Sequence, residues 1–180
     1  MNRSPLAPMF DPASVAVFGA SDTSDSVGAR VFANLMKGGF EGRIVPINPK
    51  HKTVGGQTCH KTLADVGRDI DLAVIATPAA TVPGIIRQCG EAGTRNAIVL
   101  TAGFGEGGAP GRREADALRD AARRSGVRYL GPNCVGLVRP WIGLDATFLR
   151  SEPPAGRLAL MSQSGALCSA ISDWAAPHHL

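Results

Sequence analysis

The chain has 180 residues, with 19 Lys and Arg against 15 Asp and Glu, for a formal charge of +4. Its 44% apolar and 19% charged residues can fill a core, which excludes intrinsic disorder; a domain of this length buries roughly 70% of the surface its unfolded chain exposes. Aromatics at 5% argue against a stacking surface for nucleic acid, and the basic run Arg112, Arg113, Arg119, Arg123, Arg124 and Arg128 reads as the solvated face of one helix.

The opening MNRSPLAPMF carries two prolines and no apolar stretch, so no secretory signal is expected. No apolar run approaches ~18 residues, so no membrane span is expected either, and the setting that follows is cytoplasmic. SVAVFG (Ser14–Gly19) predicts a buried strand ended by Gly. Val27, Val31, Leu35 and Met36 then recur at helical spacing up to Gly38–Gly39. RIVPINP (Arg43–Pro49) predicts a second strand and DLAVIAT (Asp71–Thr77) a third, followed by a helix through Ile85, Ile86 and Cys89 that ends at Gly93. RNAIVLTAG (Arg95–Gly103) predicts a fourth strand, a Gly-rich loop leads to a helix from about Arg112 to Ser125, and VRYLG (Val127–Gly131) predicts a fifth strand. IGLDATFL (Ile142–Leu149) suits an extra strand or an ordered crossing segment, and SEPPAGR (Ser151–Arg157) suits a linker. RLALMSQSGALCSAISDWA then predicts one more strand, a Ser/Gly turn and one more helix.

Strands apolar on both faces and separated by single helices imply a parallel sheet covered on both sides. The expected fold is α/β: a doubly wound, Rossmann-like domain over residues 10–140, a linker over 141–156, and over 157–180 the opening strand–helix unit of an incomplete second domain.

Open α/β sheets bind ligands at the carboxyl ends of their strands, so the loops there are the candidate site. The first runs from Gly19-Ala20-Ser21 to Ser26-Val27-Gly28, where small residues and the N–H groups of a helix start suit phosphate, although the loop is longer than G-x-G-x-x-G allows. After strand two, Asn48-Pro49-Lys50-His51-Lys52 offers cations where an NAD site wants an acid, which suits a phosphorylated ribose as in NADP or coenzyme A. Thr77-Pro78, Thr101-Ala102-Gly103-Phe104-Gly105-Glu106 and Gly131-Pro132-Asn133-Cys134-Val135-Gly136 follow strands three to five. Ser162-Gln163-Ser164-Gly165 opens the last helix; it approaches the nucleophile elbow G-x-S-x-G, but Ser162 stands where the first Gly belongs, Asp173 reads as helix surface, and His178 and His179 are all that could complete a triad. Cys59, Cys89, Cys134 and Cys168 are at least 30 residues apart and form no metal or disulfide clamp.

In order, FDPASVAVFGAS, SVG, PINPK, IATPA, TAGFGE, GPNCVGL and GRLALMSQSGALCSAISDWA resemble the N-terminal part of the NDP-forming acyl-CoA synthetases, relatives of the succinyl-CoA ligase α subunit. The same architecture heads protein lysine acetyltransferases with a fused N-acetyltransferase domain. The resemblance runs from Phe10 to Ala175 and implies that residues 157–180 begin a flavodoxin-like, succinyl-CoA-ligase-like domain. It implies that Gly19, Ala20, Ser21, Ser26, Val27 and Gly28 wrap the phosphates of coenzyme A (or acyl-CoA), and that Asn48, Pro49 and Lys50 approach phosphate as well. Thr77, Pro78, Thr101, Ala102 and Gly103 would flank adenosine and pantetheine, and Asn133 and Cys134 the thiol end. Ser162, Gln163, Ser164 and Gly165 would face a phosphohistidine, for which His51, His60, His178 and His179 match no motif. ATP or ADP would enter only through an ATP-grasp domain or partner subunit. A non-catalytic CoA or nucleotide sensor is the alternative, and a homo-oligomer is left open.

Overall fold

The computed structural model describes residues 4–23, 25–105, 108–151 and 153–178. Ser24, Glu106, Glu152 and His179 of the segments above lie outside the described residues.

A short helix α1 (Ala7–Phe10) precedes β1 (Ser14–Phe18), α2 (Val27–Lys37) and β2 (Arg43–Ile47). A small hairpin, β3 (Thr53–Val54) and β4 (Gln57–Thr58), leads to β5 (Leu72–Ile75), α3 (Val82–Glu91), β6 (Asn96–Val99), α4 (Gly108–Ser125) and β7 (Arg128–Leu130). Five of the strands form one sheet in the order β2-β1-β5-β6-β7, every neighbouring pair parallel. The chain lays β2 on one side of β1 and then crosses to the other side for β5. The direction of winding therefore reverses between β1 and β5, and that is where a doubly wound sheet opens a crevice.

Alternation along the strands fills two layers. Ala16 and Phe18 of β1 lie with Ile85, Ile86 and Cys89 of α3 and Leu118 of α4 on one face. Val15 and Val17 lie with Val31, Phe32 and Leu35 of α2 on the other. All five residues of β1 are buried, as expected of a central strand covered on both sides.

The short helix α1 and the β3–β4 hairpin were not among the expected elements. Gly136–Arg139 and Leu144–Thr147 form an antiparallel hairpin, β8 and β9; its second strand is the extra strand that Ile142–Leu149 suited, and its first was not expected. Leu144 and Ala146 are buried in the α2 layer, and Asn34 of α2 donates from Nδ2 to Thr147 O (2.9 Å) and Leu149 O (3.0 Å). One expectation is corrected: Arg157–Met161, expected as a strand, pairs with no strand among the described residues. Leu158, Leu160 and Met161 are 79%, 53% and 98% exposed. Apolar pattern alone does not make a strand, because its N–H and C=O groups need a neighbour to bond. The helix after it does form as α5 (Gly165–Ala175), held back to the chain by Ser151 Oγ donating to Asp173 Oδ1 at 2.7 Å. Among the described residues no helix is long and apolar enough to cross a membrane.

Candidate functional site

The crevice is built first by glycine. Gly19, at the end of β1, has φ +87° and donates its N–H to Ile47 O (2.9 Å); a Cβ there would lie 2.6 Å from Ala76 O at the end of β5. A Cβ on Gly28 would lie 1.9 Å from Gly19 O, so the first turn of α2 sits directly against the end of β1. Ser26 caps that helix: its Oγ accepts from Ala29 N and donates to Thr23 O, both at 3.1 Å. Ser21 Oγ accepts from Thr23 N (3.0 Å), and Ala20 is buried beneath the loop. The start of α2, the positive end of that helix, therefore lies beside the switch point between β1 and β5.

The neighbouring loops join this one in sequence around the rim. Asn48, after β2, donates from Nδ2 to Ala20 O (2.8 Å) and accepts at Oδ1 from Lys50 N (3.0 Å). Pro49 and Lys50 are exposed beside it. Thr101 Oγ1, after β6, donates to Thr77 O (2.8 Å), drawing the β5 and β6 loops together. Ala102 and Gly103 continue that loop in the open, with Phe104 buried under it. Asn133 N donates to Thr101 O (2.9 Å), and Cys134 Sγ to Val99 O (3.4 Å), which seats the β7 loop against β6. A Cβ on Gly165 would lie 3.1 Å from Val135 Cγ2, so the start of α5 adjoins that same loop. There Ser162 Oγ accepts from Ser164 N (3.0 Å), Ser164 Oγ from Leu167 N (3.3 Å), and Gln163 is exposed.

The loops singled out after β1, β2, β5, β6 and β7 therefore lie along one edge of the sheet, and the Ser162–Gly165 turn adjoins the last of them through Val135. Their N–H groups, hydroxyls and lysine suit phosphate and ribose. Three participants were missed. Asp22 Oδ1 accepts from Gly55 N (2.9 Å) and pins the β3–β4 hairpin to the first loop. His60 O accepts from Asn48 N (2.8 Å), and Thr81 Oγ1 donates to Pro78 O (2.7 Å) beside Thr77 Oγ1. Asp22 and Thr81 had a legible signal, a short polar side chain next to a turn; the His60 carbonyl had none. Among the described residues no group of three or more His, Cys, Asp and Glu is placed to hold a metal.

Residues 13–140 match the CoA binding domain family. The chain belongs to that family. It is 43% identical over 162 residues to the ADP-forming acetate–CoA ligase of Methanocaldococcus jannaschii, which covers 90% of this chain and 22% of that protein. It is 38% identical over 173 residues to the ADP-forming acetate–CoA ligase I subunit alpha of Pyrococcus furiosus, covering 94% of this chain and 37% of that subunit. The dinucleotide-forming acetyl-coenzyme A synthetase 1 of Ca. Korarchaeum cryptofilum, in complex with phosphate and ADP, superposes with a TM-score of 0.90 at 37% identity, over 96% of this chain and 37% of that one. The resemblance read from the motifs is thus borne out, and the chain corresponds to the CoA-binding region of ADP-forming acyl-CoA ligases. It spans about a fifth to two fifths of the length of these relatives.

In this CoA-binding domain the Cys134 thiol is pushed up to about 11, mainly by burial, and the fully buried Cys89 to about 12 for the same reason. At pH 8 only about one Cys134 in a thousand would then be thiolate, so weak nucleophilicity is expected of it. Alkylation by iodoacetamide at pH 8 is expected to be far slower at Cys134 than at a peptide thiol, and Cys134→Ser is expected to keep CoA affinity within about threefold. Acyl label accumulating on this sulfur would contradict that assignment. The same shifts set a pH dependence. Between about pH 9 and 11 the unfolded chain has lost these thiol protons and the folded chain has not, so stability falls as pH rises through that window.

Proposed function

We propose that this domain holds coenzyme A, or its acyl thioester, along the carboxyl edge of the sheet on behalf of a cytoplasmic ADP-forming acid–CoA ligase. The observation that carries the reading is the switch-point cradle. Gly28 lets the positive end of α2 meet the β1 loop, and Lys50 follows on a turn bonded to that same loop through Asn48. The diphosphate lies against Gly19, Ala20, Ser21, Ser26, Val27 and Gly28, and the 3′-phosphate meets Lys50 beside Asn48 and Pro49. Adenosine and pantetheine run between Thr77-Pro78 and Thr101-Ala102-Gly103, with the thiol toward Asn133 and Cys134. Ser162 to Gly165 face the phosphohistidine of the parent enzyme.

This domain's own part in the chemistry is to fix the thiol end and shield the carrier's charges. The nucleotide is the business of an ATP-grasp domain or partner subunit, and the histidine that takes the phosphoryl group belongs to the succinyl-CoA-ligase-like second domain of the parent enzyme. Parallel calorimetric titrations with CoA, dephospho-CoA, NAD and NADP test the reading, and CoA is expected to bind most tightly. Incubated alone with acetate, ATP and CoA, the chain is expected to make no acetyl-CoA. Tighter binding of NAD than of CoA would sink the binding reading, and unaided acetyl-CoA synthesis the division of labour.

A further inference from the structure

Both ends of the Asn48 carboxamide are spent inside the protein. Nδ2 donates to Ala20 O (2.8 Å) in the phosphate loop, and Oδ1 accepts from Lys50 N (3.0 Å), which closes an Asx turn over Pro49. The backbone of Asn48 is held as well: its N–H donates to His60 O (2.8 Å), and its carbonyl accepts from His51 N (3.3 Å). Ile47, just before it, bridges in parallel to His60. The residue is therefore half-buried and fixed from three directions, whereas Lys50, two positions on, is exposed and carries its charge on a flexible stem.

A flexible cation discriminates poorly unless its backbone is placed. The bond from Lys50 N to Asn48 Oδ1 sets the direction in which the lysine leaves the sheet. The bond from Asn48 to Ala20 O fixes that turn against the loop that receives the diphosphate. The two phosphate-binding elements, 28 residues apart in sequence, thereby share one joint. We infer that Asn48 is a positioning residue for Lys50: its side chain sets the preference for a 3′-phosphorylated ribose by holding the lysine turn against the phosphate loop. This inference rests on the assignment of Lys50 to the 3′-phosphate under Proposed function.

The readout is a ratio rather than an affinity, because a purely structural defect weakens CoA and dephospho-CoA alike. The full chain and its Asn48→Ala, Asn48→Gln, Lys50→Ala and Asn48→Ala/Lys50→Ala variants are titrated calorimetrically with both ligands. The wild type is expected to favour CoA by about tenfold or more, the size of a charge-assisted contact, and Lys50→Ala to bring that preference near unity. Asn48→Ala is expected to lower the preference to within about threefold of unity, and the double variant to lower it no further than Lys50→Ala alone, since the two residues act through one contact. Asn48→Gln keeps the carboxamide but is one methylene too long to close the turn. It is expected to lose the preference too, so a fold defect confined to the Ala variant leaves the question answerable. A preference unchanged from wild type in either folded Asn48 variant, with Lys50→Ala abolishing it, overturns the positioning role and leaves Lys50 in place. A wild type that fails to distinguish CoA from dephospho-CoA overturns the assignment of Lys50 itself.

Discussion

Replacing Lys50 with Ala is expected to weaken CoA binding tenfold to a hundredfold and to change dephospho-CoA binding much less. A ribose with two free hydroxyls needs an acceptor at the end of the second strand, whereas a phosphorylated one needs a donor. The chain places Lys50 there, exposed on the turn that Pro49 and Asn48 define, with the exposed Lys52 two residues on. A hydrogen bond to a charged partner contributes about 1.5–3 kcal/mol, which sets the expected range. Because both groups meet at the protein surface, salt screens the attraction, and the loss should shrink as ionic strength rises. Calorimetric titration of both proteins with both ligands, at low and at high salt, provides the check. Equal losses for CoA and dephospho-CoA would show that Lys50 does not read the 3′-phosphate.

Gly28→Ala is expected to destabilise the fold by about 3 kcal/mol and, in whatever fraction stays folded, to abolish tight CoA binding. Helix propensity predicts the opposite sign, since Ala is favoured over Gly by about 1 kcal/mol within a helix. The steric term wins because the new Cβ would lie 1.9 Å from Gly19 O and 2.7 Å from Gly19 C, both backbone atoms at the end of a fully buried strand. Neither can yield without moving α2 off the sheet, and that movement takes the helix N-terminus away from the crevice. For a chain of this length the loss corresponds to a drop in Tm of roughly 6–12 °C. Gly84 of α3 is the control: a Cβ there meets only Arg87 Nη2, at 3.7 Å, so Gly84→Ala should raise Tm slightly. Thermal unfolding of the two variants decides the matter. A Gly28→Ala protein as stable as the Gly84→Ala one would mean that the close approach of helix and strand is not needed.

The strongest elements were legible because their signals are local. Val15 to Phe18 form an unbroken apolar run, Val31 and Leu35 share one face of a helix, and Ser26 is a good N-cap wherever its helix packs. From the parallel sheet that such strands imply, the gathering of their carboxyl-end loops on one rim followed with no further information. What was not legible has one cause. Arg157–Met161 has the composition of a strand but no neighbouring strand to bond among the described residues, and Leu144–Thr147, readable as a strand or a crossing segment, was decided only when Asn34, more than 110 residues away, met the Thr147 carbonyl. The carboxamide of Asn48 was legible as a turn residue, while its bond to Ala20 O was not. Periodicity and capping are properties of neighbours along the chain, so the sequence determined the main strands, the longer helices and the edge that carries the candidate site. Hydrogen-bond partners distant in sequence are chosen only when the layers pack, so tertiary structure alone decided which apolar segments became strands and how the candidate phosphate loops are joined.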